Sequence, residues 1–194
     1  MKTNLYEIFD KTWNKGGVIY FYSDPHFNDT DMVHLRHNYI GDEEQVACIN
    51  KVVGKKDTIV FLGDIGDTEF IKKVRGYKVL IMGNHDKGAS NYKRAIVDGV
   101  DNHLFDEVYS GPLMISDKIL LSHEPIDLPY VLNIHGHDHS GWHKIPHGLN
   151  VCAELINYFP VPLTKIMKSG MLNKVDDIHR CAIDMAIIRK LPKK

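Results

Sequence analysis

Histidine, aspartate and asparagine directly follow several short apolar runs in this sequence, which has 12 histidines among 194 residues. Each of these runs predicts a buried strand. The polar groups after the first three runs are Asp24 with His26, Asp64 with Asp67, and Asn84 with His85 and Asp86. Because ligands bind at the carboxyl ends of the strands in open α/β sheets, we expect these loops to converge on one site.

More histidines follow the later runs. His123 comes directly after one predicted strand, and His135, His137 and His139 alternate after another. Residues two apart on an extended segment point to the same side. His137 and His139 can therefore present two ligands to one metal site, as can the two polar residues of the first loop.

The candidate ligands are too many for one tetrahedral ion. They comprise three carboxylate or amide groups and four imidazoles, namely Asp24, Asp64, Asn84, His26, His123, His137 and His139. A dinuclear centre needs a bridging oxygen ligand, and Asp64, in the middle of the set, could bridge. Nitrogen and oxygen donors without a suitable cysteine favour manganese, iron, zinc, cobalt or nickel over a structural thiolate site. Such an ion pair activates a hydroxide and holds phosphoryl oxygens.

The elements that must position these residues are strands and helices in alternation. We predict strands at residues 18–22, 58–62, 78–82, 105–109, 113–116, 118–121 and 130–134. We predict helices at residues 42–53, with Asp42 as the N-cap, and at 68–74, 92–97 and 176–190. The alternating start implies parallel βαβ units, whereas the short connections after residue 104 favour antiparallel pairing. The prediction is a mixed α/β fold.

Composition predicts one globular domain over residues 1–194, with residues 170–194 as a C-terminal helical extension. Lysine and arginine total 24 and aspartate and glutamate total 25, so a net charge of −1 supplies no basic field for nucleic acid. No apolar run reaches the length of a membrane-spanning helix. The three cysteines, Cys48, Cys152 and Cys181, have no paired spacing and fit a reducing compartment. We therefore expect a cytoplasmic protein with no membrane partner.

Five sequence motifs occur in order along the chain. They are D-x-H at residues 24–26, G-D-x-x-D at 63–67, G-N-H-D at 83–86, a single histidine at His123 and G-H-x-H at 136–139. In these motifs the chain resembles the calcineurin-like metallophosphoesterases. Residues 150–161 also resemble the closing segment of the small, cap-less bacterial and phage members of that superfamily.

The resemblance implies a four-layer α/β/β/α sandwich with mixed sheets and a pair of divalent ions. It implies that one ion is held by Asp24, His26, Asp64 and His139, and that Asp64 bridges to a second ion held by Asn84, His123 and His137. Manganese is the expected metal, with iron, zinc, nickel, cobalt and magnesium as alternatives. By the same resemblance His85 assists the leaving group. Asp86 is either a turn acid or the residue that orients His85.

The resemblance also implies a metal-dependent hydrolase that cleaves a phosphomonoester or phosphodiester by means of a metal-bridging hydroxide. The expected substrate is a small, nucleotide-like molecule. Two alternatives stay open: a degenerate metal-binding interaction scaffold of the same fold, and a nuclease. The near-neutral charge disfavours nucleic acid as a partner. We expect the apolar face of the helix at 176–190 to pack on its own domain, with a homodimer contact as the alternative.

Four residues near the expected mouth of the site are candidate substrate contacts. They are Asn28, Arg36, Trp142 and His143. Asn28 departs from the pattern of the small superfamily members, Arg36 could bind phosphate and Trp142 could meet a base. The short spacings between motifs leave no room for a cap domain, so we expect an open site. We expect Asp67 either to cap a helix or to support the site, His135 to be structural or at the surface, and Cys152 to lie in the core.

Overall fold

A computed structural model describes residues 5–36, 38–86, 95–97, 100–102 and 104–176 of the chain. Its helices are α1 (Glu7–Trp13), α2 (Thr30–Leu35), α3 (Asp42–Val52) and α4 (Leu163–Lys168), with short 3-10 helices at Ile71–Lys73, Ala153–Ile156 and Met171–Asn173. Its strands are β1 (Ile19–Tyr22), β2 (Thr58–Phe61), β3 (Tyr77–Ile81), β4 (Ala95–Val97), β5 (Val100–Asn102), β6 (Glu107–Tyr109), β7 (Leu113–Ser116), β8 (Ile119–Leu121), β9 (Leu132–His135), β10 (Gly148–Asn150) and β11 (Val161–Pro162).

Two mixed sheets form the centre of the fold. The first has the order β11-β1-β2-β3-β6, with β1, β2, β3 and β6 parallel and β11 antiparallel at one edge. The second has the order β10-β9-β8-β7. In that sheet β7 and β8 are antiparallel as predicted, but β8, β9 and β10 are parallel. Residues 122–131 carry the chain back before β9 begins, so that β9 runs in the same direction as β8.

The main core lies between the two sheets. Phe21 on β1 pairs with Val60 on β2, and Val60 pairs with Val79 on β3. These three side chains share one face and pack in the same buried cluster as Leu121 and Ile134 of the second sheet. Helices α1 and α4 also contribute buried side chains to this cluster. Because successive side chains on a strand point to opposite faces, the next residue along each strand faces the other way.

Helix α3 covers that opposite face of the first sheet. The next register row, Tyr22, Phe61 and Leu80, is buried in a second cluster with Ile49 of α3. Strands buried on both faces explain why the sequence shows continuous apolar runs here rather than alternation. The predicted mixed α/β sandwich with mixed sheets is confirmed.

The structure corrects two of the predicted helices. At residues 68–74 only the short 3-10 helix Ile71–Lys73 forms. The helix predicted at 92–97 is wrong at Ala95–Val97, which is strand β4 and pairs antiparallel with β5. Its β-branched residues favour a strand, and the Asp-Gly pair in the sequence between β4 and β5 is typical of hairpins. The rest of that prediction falls on residues outside the described ones.

Helix α3 begins where predicted, but its N-cap is Gly41 with φ 90°, so Asp42 is its first helical residue. Acidic side chains in the first turn of a helix are stabilised by the macrodipole. The helix predicted at 176–190, and the homodimer contact considered for it, lie outside the described residues beyond Asp176. Within the described part of the chain, every helix is too short or too polar to cross a membrane.

Candidate metal centre

The loops after β1, β2, β3, β8 and β9 bring the predicted ligands together. Three groups of side chains have potential ligand atoms within 4.8 Å of one another. They are Asp24 with His26 and Asp64, Asp64 with His123 and His137, and Asp24 with His139 and Cys152. These residue groups could bind metal ions, and two of them share Asp64.

Asp64 lies between the two histidine groups. Its Oδ2 is 3.2 Å from Nε2 of His123 and 3.7 Å from Nε2 of His26. Its Oδ1 accepts a hydrogen bond of 2.9 Å from the backbone N–H of His85. One carboxylate oxygen therefore faces imidazoles from both groups, which is the position that a bridging ligand requires.

One half of the cluster is built around His123. Its Nε2 is 2.8 Å from Oδ1 of Asn84 and 3.1 Å from Nδ1 of His137. Its Nδ1 is 2.8 Å from the carbonyl oxygen of Leu62. A metal-ligating histidine commonly donates its second ring N–H to such a carbonyl, which leaves the other nitrogen free for the ion. His123 therefore has the support expected of an Nε2 ligand.

The other half of the cluster holds buried polar atoms that have no hydrogen-bond partner among the described residues. Oδ1 of Asp24 is 3.9 Å from Nε2 of His26 and 3.5 Å from Nε2 of His139. Both Oδ1 of Asp24 and Nε2 of His26 are buried without a hydrogen bond. A buried carboxylate oxygen or ring nitrogen without a partner is costly, and a cation between these donor atoms removes that cost. The donor set therefore fits a divalent ion.

His139 contacts a buried ion pair between Glu154 and Arg36, which none of the sequence motifs predicts. Its Nδ1 is 2.6 Å from Oε1 of Glu154, and Oε2 of Glu154 is 3.5 Å from Nε of Arg36. The Arg36 guanidinium also donates to the carbonyl oxygens of Asp24 at 2.6 Å and Pro25 at 3.3 Å. The one signal in the sequence was that Glu154 is an acidic residue within the segment 150–161.

These contacts correct the prediction for Arg36. Its side chain is only 1% exposed, its two terminal amino groups donate to the loop that carries Asp24, and its Nε forms an ion pair with Glu154. It therefore supports the site from below the surface and does not offer its charge to a substrate.

Cys152 lies in the core as predicted but also contacts the cluster. Its Sγ donates to Oδ2 of Asp24 at 3.2 Å. Burial, together with the negative charge of Asp24, raises the pKa of the Cys152 thiol far above its usual range. The thiol therefore stays protonated and acts as a hydrogen-bond donor to Asp24 rather than as a thiolate ligand.

Four of the predicted ligands have left-handed backbone conformations. Their φ values are 55° for Asp24, 45° for His26, 52° for Asp64 and 68° for His137. This conformation is unfavourable for residues other than glycine, and such strain clusters at functional sites. The surrounding structure must over-determine these loops, which fixes the directions of the ligand side chains.

Two motif glycines are required by close packing around the carboxylates. A Cβ on Gly83 would lie 2.2 Å from Oδ1 of Asp64. A Cβ on Gly136 would lie 1.9 Å from Oγ of Ser23 and 2.2 Å from Oδ2 of Asp24. Any larger residue would therefore displace a predicted ligand.

His85 and Asp86 have different surroundings. His85 is exposed, and its ring centroid is 5.6 Å from that of His26. Asp86 is 3% exposed, and its carboxylate accepts from the backbone N–H groups of Asp64, Ile65 and Gly83 at 2.8, 3.0 and 2.8 Å. These bonds join the second and third ligand loops, so the structure supports the turn-acid alternative and corrects the predicted catalytic role of Asp86.

The remaining candidate substrate contacts, Asn28, Trp142 and His143, are exposed at the surface. Asn28 is exposed, and its side-chain amide donates to Oδ2 of Asp67 at 3.3 Å. The other Asp67 oxygen accepts from the backbone of Glu69 at 3.0 Å, so Asp67 caps the turn that follows it. Trp142 is 86% exposed. The side chain of His143 is also exposed, with Nδ1 3.7 Å from Oδ1 of Asp138. His135 is 2% exposed, so of the two expected places, structural or at the surface, it has the buried one.

The titration of the cluster follows from its crowded charges. Burial alone would lower the pKa of His123, but its hydrogen bond to Asp64 and the charge of Asp24 raise that pKa to about 9. Burial would likewise raise the pKa of Asp64, and contact with His123 lowers it below its usual value. A metal ion bound at neutral pH must therefore displace a proton from His123.

Comparison with known proteins places the chain in a family. No protein-family model matches it. It is 30% identical to the uncharacterized protein MJ1445 of Methanocaldococcus jannaschii over 175 residues, which cover 77% of this chain and 89% of that protein. The chain belongs to the MJ1445 family.

Two solved structures are also similar. The protein of unknown function AQ665 from Aquifex aeolicus has a TM-score of 0.64 and 26% identity, covering 78% of this chain and 98% of that chain. The Pseudomonas putida nuclease MPE has a TM-score of 0.43 and 21% identity, covering 62% and 61% of the two chains. The first supports the observed fold of this chain, and the second is too distant to support an argument.

Proposed function

We propose that this protein is a metal-dependent phosphoesterase of the calcineurin-like superfamily that hydrolyses a small phosphate ester. The observation that carries the proposal is the pair of ligand groups that share Asp64. The five motifs support it, because four of them contribute a side chain to these groups and Asn84 of the G-N-H-D motif lies 2.8 Å from Nε2 of His123.

Two divalent ions, with manganese the first expectation, fit the donor set. Asp24, His26, Asp64 and His139 would hold one, and Asp64, Asn84, His123 and His137 would hold the other. When bound, such a pair supplies Lewis-acid stabilisation of phosphoryl oxygens and a nucleophile from water at neutral pH.

In this proposal His85 supplies a proton to the leaving group, and Asp86 and Arg36 position the loops that carry the metal ligands. His85 is exposed beside the cluster, and only its backbone N–H is tied to Asp64. No hydrogen bond to its imidazole occurs among the described residues, so the ring could donate a hydrogen bond or a proton to the oxygen of the leaving group. Asp86 holds the loops of Asp64 and His85 in register, and Arg36 holds the loop of Asp24.

The proposal is tested with metal-stripped full-length protein. Phosphomonoester and phosphodiester substrates with aryl leaving groups are assayed after loading with manganese, nickel, zinc or magnesium. We expect metal-dependent turnover that Asp64→Asn abolishes and that Asp117→Asn, a change at an exposed surface acid, leaves unchanged. Stoichiometric metal binding without turnover on any substrate would favour the interaction-scaffold alternative, and cleavage confined to polynucleotides would favour the nuclease.

A further inference from the structure

A cavity of ≈ 590 Å³ opens beside His139, outside the ligand cluster. Its walls include the apolar side chains of Met32, Leu35, Trp142 and Leu155. Its volume lies within the range of about 300 to 1,000 Å³ that is typical of small-molecule sites. Hydrolysis of a phosphate ester at the metals does not by itself require this cavity.

The walls of this cavity carry apolar side chains that remain in contact with solvent. Leu35 is 68% exposed, Trp142 is 86% exposed and Leu155 is 39% exposed. Scattered exposed apolar residues are ordinary, but a cluster around one cavity marks a binding surface. Since His139 also lines the cavity, a ligand there would be continuous with the metal centre.

Trp142 is presented on an ordered turn. The Asp138 carboxylate accepts from the backbone N–H groups of Ser140 at 3.1 Å and His143 at 2.8 Å. The Ser140 hydroxyl accepts from the backbone N–H of Trp142 at 3.1 Å. These hydrogen bonds order the backbone on both sides of Trp142. Less conformational entropy is therefore lost when a ligand binds to the exposed indole.

The charged residues among those that line the cavity are Arg36 and Glu154, and they pair with each other. Arg36 and Glu154 border the cavity, but their side chains are 1% and 7% exposed and lie 3.5 Å apart. A polynucleotide would need basic side chains to bind its successive phosphates. An exposed aromatic side chain without such basic residues is better suited to stack on a single uncharged base.

We infer that this cavity binds the aromatic base of a small nucleotide whose phosphate lies at the metal cluster. Trp142 stacks on the base, and Leu35 and Leu155 contact its edges. The inference rests on the proposed function for the position of the phosphate, and it adds the class of substrate.

The test compares two phosphates that differ only in the base. Full-length, manganese-loaded protein is titrated with adenosine 5′-monophosphate and with ribose 5-phosphate, and tryptophan fluorescence is followed. Trp13 is fully buried, so a change produced by a ligand at the surface arises from Trp142. Trp142→Phe verifies this origin, because it retains an aromatic ring but removes the signal.

We expect adenosine 5′-monophosphate to quench the emission in a saturable manner and ribose 5-phosphate to leave it unchanged. In calorimetry, Trp142→Ala should weaken adenosine 5′-monophosphate binding by about 5- to 150-fold, the range measured for loss of one stacking partner. It should leave binding of ribose 5-phosphate unchanged. Ile8→Ala, which removes a 66% exposed side chain on α1, should alter neither.

Equal affinity of the wild-type protein for the two phosphates, unchanged affinity in Trp142→Ala, or no binding of adenosine 5′-monophosphate would overturn the cavity assignment. These outcomes are distinct from a failure of the proposed function. If the base-dependent quenching occurs and no ester is hydrolysed, the phosphoesterase proposal fails and the base site stands. If esters are hydrolysed and the base has no effect on binding, the phosphoesterase proposal stands and the base site fails.

Discussion

Replacing Glu154 by glutamine tests whether the buried carboxylate positions a metal ligand. Its Oε1 lies 2.6 Å from Nδ1 of His139, and its side chain is 7% exposed. A charge-assisted hydrogen bond of this kind is about twice as strong as a neutral one. Loss of the carboxylate that orients a ligating histidine costs about 10- to 100-fold in metal affinity. We therefore expect Glu154→Gln to lower the affinity for the ion that His139 would bind by about 10- to 100-fold.

The second ion provides an internal reference. It would be held by Asp64, Asn84, His123 and His137, and none of these has a direct contact with Glu154 among the hydrogen bonds and ion pairs of the described residues. Its affinity should therefore change by less than about twofold. A merely structural loss would weaken both ions together, so the two affinities separate positioning from general damage.

Glu154→Ala should add a stability defect that glutamine largely avoids. Alanine leaves the buried Arg36 guanidinium without its acidic partner. Removing one partner of a buried ion pair costs about 3 to 5 kcal/mol. Glutamine keeps the volume and an acceptor oxygen, so we expect a smaller loss in the free energy of unfolding, together with the selective loss of metal affinity.

The assay is a titration of metal-stripped protein with manganese against a competing fluorescent chelator, with urea unfolding of the same samples. Glu69→Gln is the matched control, since Glu69 is an exposed acid paired with Lys72. If Glu154→Gln binds both ions as the wild type does, or loses both equally, the positioning argument is refuted.

Three further predictions concern the cluster itself. Asp64→Ala should lose both ions, whereas His123→Ala should mainly weaken one; about two ions per chain retained in Asp64→Ala, by plasma mass spectrometry, would contradict the bridge. His85→Ala should keep its metals and lose about 10²- to 10⁴-fold in turnover, with a smaller loss for an activated aryl ester than for an alkyl ester. Equal losses of turnover on the two esters would show that His85 does not protonate the leaving oxygen. Gly136→Ala should lower both metal affinity and Tm, because its Cβ would lie 1.9 Å from Oγ of Ser23; wild-type values for both would show that the loop can move.

The strands of the first sheet could be predicted because their signal is local. The runs that became β1, β2 and β3 are apolar on both faces, since one face meets the second sheet and the other meets α3. Each run ends at a polar loop, so the sequence also indicated where the candidate ligands lie along the chain. Parallel pairing of these strands followed from their alternation with helices.

The later part of the chain was harder to predict, because pairing there depends on distant partners. Short connections favoured antiparallel strands, but β9 is parallel to both β8 and β10. The helix predicted through Ala95–Val97 is a strand for a local reason instead, because its β-branched residues and the following Asp-Gly pair favour a hairpin with β5.

The amino-acid sequence by itself determined which residue types stand at the strand ends and in what order. Those features follow from hydrophobic patterning and from the ligand chemistry of single side chains, which need no knowledge of the fold. Only the tertiary structure decided that Arg36 is buried against Glu154, that Asp86 ties backbone amides together and that Trp142 borders a cavity shared with His139. The physical reason is that each of these roles is set by a partner remote in sequence. Sheet register and the strained loops after the strands decide which partner a polar side chain meets.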